Sequence, residues 1–93
     1  MDFEWDPRKA AKNLRHHGVA FAEATTVFGD PLGVTAFDSD HSTEEARYII
    51  VGISHRARHL IVAFTERGDR IRIISARELT SAERETYEED LTG

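Results

Sequence analysis

The stretch spanning residues 66–87 constrains the fold of this chain more than any other stretch. Gly68 and Asp69 are typical turn residues. Residues 70–74 then alternate arginine with isoleucine before the sequence becomes fully apolar, a pattern that predicts a strand with one solvated face. Residues 80–83, Thr-Ser-Ala-Glu, fit the capping box, in which the first and last side chains satisfy backbone donors at a helix start. A turn, a basic strand and a helix are therefore expected in succession.

The arginines of this strand have two interpretations. Arg70 and Arg72 alternate with apolar residues, so their guanidinium groups either contact a phosphate or simply solvate the strand. Arg77 follows at the expected strand end, and strict alternation places it on the face opposite Arg72. Either the strand bulges or ends near Ser75, or Arg77 is structural.

Length and composition limit the class of protein. The 93 residues predict one domain, 1–93, with a modest core formed by a single sheet covered on one side by helices. The sequence contains no cysteine, which excludes disulfides and thiolate metal sites and fits a cytoplasmic setting. No apolar run approaches the roughly 20 residues that cross a bilayer, so we expect a soluble protein without membrane association.

The net charge of −5 argues against a nucleic-acid-binding protein, because such domains are usually basic. The acidic residues are unevenly distributed, however. Six of the 17 acids follow Arg77, so residues 1–77 carry eleven basic and eleven acidic side chains. Local basic surfaces are possible on such a neutral body, whereas long-range attraction of the whole protein to RNA is not expected.

Periodicity and breaker residues predict the remaining elements. These are a short edge strand at Phe3–Trp5, helices at Arg8–His17 and Val19–Phe28, and strands at Leu32–Phe37, Ala46–Ser54 and Leu60–Thr65. Ala46–Ser54 is nearly continuously apolar, which is typical of a central strand buried on both faces. The order β-α-α-β-β-β-β-α predicts an α+β fold. We expect a mainly antiparallel sheet of about four strands, two N-terminal helices on one face and a short C-terminal helix.

The first predicted helix has an apolar face and a basic face. Asp6 and Pro7 are suited to its start and Gly18 to its end. Its inward face is predicted to hold Ala10, Leu14 and His17, and a basic ridge to hold Arg8, Lys12, Arg15 and His16. The ridge either contacts phosphate or is the solvated side of an amphipathic helix.

The second predicted helix lacks one half of a capping box. Glu23 stands at the position of the acidic partner, but Ala20 has no side-chain oxygen to cap the helix, which typically costs about 1 kcal/mol.

Several kinds of site are not supported by the motifs. The five histidines show no zinc-ligand spacing, and the loop at 38–43 lacks the glycine of a calcium loop. No G-x-S-x-G motif or glycine-rich phosphate loop occurs. We therefore expect no metal and no cofactor.

Metal-free cleavage of a phosphodiester by the 2′-hydroxyl of the substrate is compatible with the remaining residues. This reaction needs a proton acceptor, cations that stabilise the phosphorane charge, and an acid for the leaving oxygen. The candidates for the cations are the arginines near strand ends or on adjacent strands, Arg47, Arg67, Arg70, Arg72 and Arg77. His17 is a candidate acid or base, or else it caps the first helix against the sheet. Tyr87 lies one turn after Glu83, where packing of the last helix is the simpler role.

A set of motifs across nearly the whole chain resembles the BrnT toxin family. The matching elements are Trp5-Asp6-Pro7, residues 13–19 (NLRHHGV), Phe21, Glu23-Ala24, Phe28, Asp30-Pro31, Glu45, Arg47, Gly52, residues 72–77 (RIISAR), Glu83 and Tyr87. The resemblance implies a RelE-like fold, a ribonuclease activity that halts translation, and a small antitoxin encoded beside the toxin. It further implies that this BrnA-like partner has a ribbon-helix-helix domain, and that operator DNA is bound only through the antitoxin complex.

The resemblance also suggests site residues. His17, Arg47, Arg72 and Arg77 lie at positions that match the family pattern and are the catalytic candidates, whereas Lys12, Arg70 and Tyr87 are the RNA-binding candidates. Two features depart from the pattern. Ala20 replaces a capping serine, and the net charge of −5 differs from the basic charge that is typical of RelE-type toxins.

Two alternatives of a different class stay open. The chain could be a non-catalytic module that only binds a partner protein. Direct DNA binding is the weaker alternative, because no helix-turn-helix is present.

Overall fold

The computed structural model describes the backbone of residues 1–92 and the side chains of residues 1–89. The elements in chain order are β1 Asp2–Glu4, α1 Pro7–His17, α2 Phe21–Thr26, β2 Val34–Phe37, β3 Tyr48–Ile53, β4 His59–Arg67, β5 Arg70–Glu78 and α3 Ser81–Thr92. Short 3-10 turns occupy Val27–Gly29 and Ser39–His41. The predicted α+β class is confirmed, and the structure differs from the prediction in several details.

The sheet is mixed and five-stranded, in the order β1-β5-β4-β3-β2. The expectation of about four antiparallel strands is therefore corrected. β1 pairs in parallel with the first part of β5, where Phe3 lies opposite Ile71, and the other neighbours are antiparallel. A parallel pair is possible here because β1 and β5 come from distant parts of the chain and need no tight connection. The central strand is β4, not the apolar β3 that the sequence suggested.

A β-bulge interrupts the pairing of β4 with β5. Ser75 lies opposite Ala63, whereas Ile73 lies opposite Phe64, so Ile74 is an extra residue on β5. Such a bulge shifts the alternation of side chains by one residue.

The bulge changes the face on which the strand's last arginine lies. Arg72, Ser75 and Arg77 pair with Thr65, Ala63 and Ile61, which alternate along one face of β4. The strand therefore bulges, which was one of the possibilities left open by the sequence.

The core lies between the other face of the sheet and the first two helices. We call this the helix face; Leu60, Val62 and Phe64 of β4 are buried in it against Val19 and Phe21. The opposite, open face carries Ile49, Val51, Ile61 and Ala63 by the pairing of β3 with β4.

The C-terminal helix lies at one end of the open face. Tyr87 is buried, its ring lies edge-on to His59 at 6.0 Å, and its hydroxyl donates a hydrogen bond to the Leu32 carbonyl at 3.2 Å. With 12 residues, α3 is not the short helix that was expected. The capping box at its start is confirmed, because Thr80 Oγ1 accepts from the Glu83 amide and Glu83 Oε1 accepts from the Thr80 amide.

The first two helices differ from the prediction made from the sequence in two further ways. On α1 the buried residue is Asn13, while Leu14 is 52% exposed and His17 is exposed. α2 is six residues long, ends in the 3-10 turn, and has no side-chain cap at Ala20, as expected. Among the described helices, none is long and apolar enough to cross a membrane.

Candidate functional site

A cationic groove of about 370 Å³ lies between α1 and the bulged part of β5. Its lining residues come from α1, from the bulge and from the residue before β3. They are Lys9, Lys12, Asn13, His16, His17, Arg47, Ile74 and Ser75. We call this cavity the cationic groove.

Asn13 holds α1 against the edge of β5. β1 covers that edge only as far as Arg72. Beyond it, Asn13 Nδ2 donates to the carbonyls of Ala76 and Val19 at 2.8 and 2.9 Å, and Asn13 Oδ1 accepts from the Ala76 amide at 3.1 Å. The amide side chain therefore takes the place of a neighbouring strand, and it satisfies backbone groups that burial would otherwise leave unpaired.

The spacing of residues along α1 brings several of its basic side chains to the groove. Lys9, Lys12 and His16 are spaced by three and four residues, so they share one face of the helix. Asp6 caps the start through a hydrogen bond from the Arg8 amide, and Gly18 ends the helix with a φ of 68°. His17 is the last helical residue and lies beside the bulge.

Arg47 is placed in the groove by a turn that precedes β3. Its amide donates to Ser42 Oγ at 2.9 Å and its carbonyl accepts from the Asp38 amide at 2.8 Å. The side chain is half-buried. The turn therefore holds the backbone of Arg47, which lines the groove together with residues of α1 and β5.

The charges of the cationic groove have no counter-ions within the described part of the chain. No carboxylate of residues 1–89 lies within 4.0 Å of the charged nitrogens of Lys9, Lys12 or Arg47. The groove can therefore bind an anion without first breaking an ion pair.

Arg77 lies next to the groove and is paired with α3. Its guanidinium group donates to both oxygens of Glu83 at 2.7 and 3.0 Å. These bonds, together with the Thr80 amide, lower the pKa of Glu83 from 4.5 to about 2, and the same pair raises the pKa of Arg77. Arg77 borders a smaller cavity of about 250 Å³, the central depression, which it shares with His17 and Ser75.

Three predicted site residues lie away from the groove. Arg72 is paired with Glu4 at 2.7 Å, and Arg70 is 61% exposed with a nitrogen 3.8 Å from the same carboxylate. Tyr87 is buried in the packing of α3. The structure thus brings together His17, Arg47 and Lys12, places Arg77 beside them, and leaves Arg72, Arg70 and Tyr87 elsewhere.

Glu23 forms a buried network rather than a helix cap. It is 3% exposed; its carboxylate is hydrogen-bonded to the Arg58 guanidinium and accepts from Ser54 Oγ at 2.7 Å. The Arg58 hydrogen bonds outweigh burial and lower the pKa of Glu23 from 4.5 to about 2. Arg58 also donates to the Gly18 carbonyl at 3.1 Å. The network fixes the end of α1 to the β3–β4 turn.

Sequence patterns missed four residues of the groove, which are Lys9, Asn13, Ile74 and Ser75. Lys9 was not placed on the basic ridge, and Ser75 enters the groove only because Ile74 is bulged. One property of the sequence could have identified Asn13. Asparagine is unfavourable in a helix interior, so its presence there suggests a specific hydrogen-bond partner.

Metal ligands do not converge in the described residues. No group of three or more histidine, aspartate or glutamate side chains there could hold an ion. In the loop before β3, His41 is paired with Asp38 at 2.9 Å.

Comparisons with known proteins agree with this structure. Residues 5–83 match the family described as the ribonuclease toxin, BrnT, of type II toxin–antitoxin systems. The crystal structure of the Brucella abortus ribonuclease toxin, BrnT, is similar, with a TM-score of 0.65 and 20% sequence identity over 87% of this chain and 99% of that one. No curated protein matches. The chain belongs to the BrnT family of ribonuclease toxins, which implies an antitoxin partner.

Proposed function

We propose that residues 1–93 form one toxin domain that cleaves RNA endonucleolytically without a metal ion and thereby inhibits translation. The observation that carries this proposal is the cationic groove. Lys9, Lys12 and Arg47 line it without counter-ions in the described part of the chain, and two histidines, His16 and His17, line it as well. An RNA phosphodiester supplies the negative charge that such a groove attracts.

In the proposed reaction the RNA supplies its own nucleophile. His17, as the neutral imidazole, accepts the proton of the 2′-hydroxyl, whose oxygen then attacks the adjacent phosphorus. Arg47 and Lys12 stabilise the charge that develops on the phosphoryl oxygens. The bond to the 5′-oxygen breaks, this oxygen takes up a proton from water, and His17 returns its proton to the solvent. The products are a 2′,3′-cyclic phosphate and a 5′-hydroxyl end.

Arg72 and Arg77 can take part in the proposed site only if their ion pairs are broken. Each is paired with a carboxylate, Glu4 or Glu83, and must exchange it for a phosphate oxygen to act. Arg77 is the better placed, because it borders the central depression together with His17. Arg70 would contact the RNA backbone outside the groove. Tyr87 would require movement of α3 to stack on a base.

The partner and the setting of this activity are proposed from the family resemblance. We propose a BrnA-like, ribbon-helix-helix antitoxin that neutralises the toxin in the cytoplasm, with operator DNA bound only by the antitoxin part of the complex. Type II membership of the family supports a protein antitoxin.

Cleavage of a defined RNA by the purified protein in the presence of EDTA tests the proposal. We expect His17→Ala to slow cleavage by about 100-fold, because general acid–base catalysis contributes a factor of this order. His55→Ala is the matched control, since His55 lies in the β3–β4 turn and does not line the groove. The products should carry cyclic phosphate ends.

Two results would contradict the proposal in different ways. Activity that appears only with added divalent metal would exclude the metal-free reaction. Harmless expression and intact RNA under all conditions would instead favour a module that only binds a partner protein.

A further inference from the structure

The backbone that follows His17 is held at two successive carbonyl groups. The Gly18 carbonyl accepts a hydrogen bond from the Arg58 guanidinium group at 3.1 Å, and the Val19 carbonyl accepts one from Asn13 Nδ2 at 2.9 Å. Arg58 lies 40 residues further along the chain, in the turn between β3 and β4. The segment that ends α1 is therefore anchored partly from outside the helix.

The end of a helix is the part that opens most easily. Its last carbonyl groups have no partner inside the helix, and its terminal residues fray. In α1 the last turn is closed by a hydrogen bond from the Gly18 amide to the Leu14 carbonyl at 2.9 Å, and His17 is the last helical residue. The position of the His17 side chain therefore depends on whether this turn stays closed.

Arg58 is itself fixed by a buried carboxylate. Its Nε donates to Glu23 at 2.9 Å, a second nitrogen is hydrogen-bonded to the same carboxylate, and 24% of the Arg58 side chain is exposed. Ser54 Oγ donates to Glu23 at 2.7 Å and accepts from the Arg58 amide at 3.3 Å. Because both its side chain and its backbone are held, Arg58 presents its guanidinium group to the Gly18 carbonyl in a fixed orientation.

We propose that Arg58 is a positioning residue for RNA cleavage, which closes the last turn of α1 and so fixes His17 between the cationic groove and the central depression. This inference rests on the proposed function, in which His17 accepts the proton of the 2′-hydroxyl. His17 lines both cavities, so movement of the helix end displaces its imidazole relative to a bound phosphate. A displacement of about 1 Å can slow a reaction about 100-fold.

The shape of the arginine side chain separates this role from that of a simple ion pair. A guanidinium group carries its N–H donors in a planar fork, so Arg58 bonds to the Glu23 carboxylate and to the Gly18 carbonyl at the same time. A lysine keeps the positive charge, but its ammonium group does not reproduce the fork. Arg58→Lys is therefore the informative variant, because it retains a cation beside Glu23 and loosens the contact with Gly18.

Amide hydrogen exchange tests whether Arg58 closes the helix end, and this measurement does not depend on RNA cleavage. In Arg58→Lys we expect the Gly18 amide to exchange at least about tenfold faster than in the unaltered protein. The Ala10 amide, which donates to the Asp6 carbonyl in the first turn of α1, is the control and should stay within about twofold. Unchanged exchange at Gly18 would overturn the proposal. Equal acceleration at both amides would also overturn it, because the whole helix would then be loosened.

The kinetics of cleavage of a defined RNA in EDTA test whether the closed helix end positions His17. We expect Arg58→Lys to lower kcat by about tenfold and to leave KM within about twofold, because the cations that bind the phosphate are unchanged. Arg84→Lys is the matched control, since Arg84 forms an exposed pair with Glu88 on α3, and it should keep both constants within about twofold. Thermal unfolding verifies that each variant is folded at the assay temperature.

A double variant shows whether the effect passes through His17. In the His17→Ala background, Arg58→Lys should slow cleavage by no more than about twofold further, because the group that it positions is already absent. Glu23→Gln, which weakens the hold on Arg58, should give the same pattern in both backgrounds. Equal slowing with and without His17, or an unchanged kcat in Arg58→Lys, would overturn the proposal. Unchanged cleavage in His17→Ala alone would instead contradict the proposed catalysis, and this inference would fall with it.

Discussion

The basic residues in two regions of this molecule differ in whether they form ion pairs with carboxylates. On the sheet and its turns, Arg58, Arg67, Arg72 and Arg77 are each paired with a carboxylate. In the cationic groove, Lys9, Lys12 and Arg47 have no such partner among the described residues. The paired arginines join elements to one another, and the unpaired cations are available to an outside anion.

The same comparison explains why an acidic net charge does not exclude an anion site. α3 contains five acidic residues and one basic residue, yet none of its described carboxylates forms an ion pair with a cation of the groove. Electrostatic interactions between exposed charges are largely screened beyond about 10 Å at moderate salt. Local arrangement, not the sum of charges, therefore decides what the groove can bind.

Removing Glu23 from its buried pair with Arg58 should have the largest effect on stability. We expect Glu23→Ala to lower the free energy of unfolding by about 3–5 kcal/mol, because it leaves the partly buried Arg58 charge with only the longer pair to Glu78, at 3.8 Å. Glu45→Ala, which breaks the exposed pair with Arg67, should cost less than about 1 kcal/mol. Urea unfolding measures both, and equal losses would remove the distinction between structural and surface pairs.

Acid should destabilise the fold through the same paired carboxylates. The pKa values of Glu23 and Glu83 are lowered from 4.5 to about 2 in the folded state, so their stabilisation is complete above pH 4.5 and is lost as the pH falls towards 2. Glu23 should account for about 3 kcal/mol; Glu83, whose side chain is 38% exposed, contributes less because solvent screens its pair.

Urea unfolding between pH 6 and pH 2.5 measures this effect. Glu23→Gln should be less stable at pH 6 and show a shallower pH dependence. An unchanged slope in this variant would show that other groups control the acid response.

Asn13→Ala tests how the groove is held together. We expect a loss of about 2–3 kcal/mol, because the variant leaves the buried backbone groups of Ala76 and Val19 unpaired. Thr25→Ala removes an exposed hydrogen bond to the Ala22 carbonyl and should cost less than about 1 kcal/mol. Equal costs for the two variants would mean that the edge of β5 does not depend on Asn13.

The smallest expected effect comes from releasing one paired arginine. Glu83→Gln keeps an acceptor for the Thr80 amide but removes the charge that neutralises Arg77. Binding of a fully 2′-O-methylated RNA, which cannot be cleaved by this route, should then tighten about three- to tenfold at low salt. Glu45→Gln releases Arg67 away from the groove and should leave affinity unchanged; a similar gain there would indicate a non-specific charge effect.

Local patterns predicted much of the fold. The capping box at Thr80, the cap at Asp6 and the αL glycine at 18 are interactions within a few residues, so the sequence displays them directly. The parallel pairing of β1 and the bulge at Ile74 depend on strands distant in the chain, which local alternation does not encode. The bulge forms part of the wall of the groove, through Ile74 and Ser75.

The candidate site was only partly predictable for the same reason. His17, Lys12 and Arg47 were selected by residue type and family resemblance, and the structure places them around one cavity. Whether an arginine is paired could not be inferred from its own position. The partners of Arg72 and Arg77 are set by pairing across the sheet and by the start of α3.

The most direct test of the distinction between paired arginines and the unpaired cations of the groove is the cleavage rate of two arginine variants in EDTA. We expect Arg47→Ala to slow RNA cleavage by at least about 100-fold and Arg67→Ala, which removes an ion-paired arginine outside the groove, to stay within about threefold, with both folds intact. Equal rates for the two variants would contradict the assignment of the cationic groove as the site that binds the scissile phosphate.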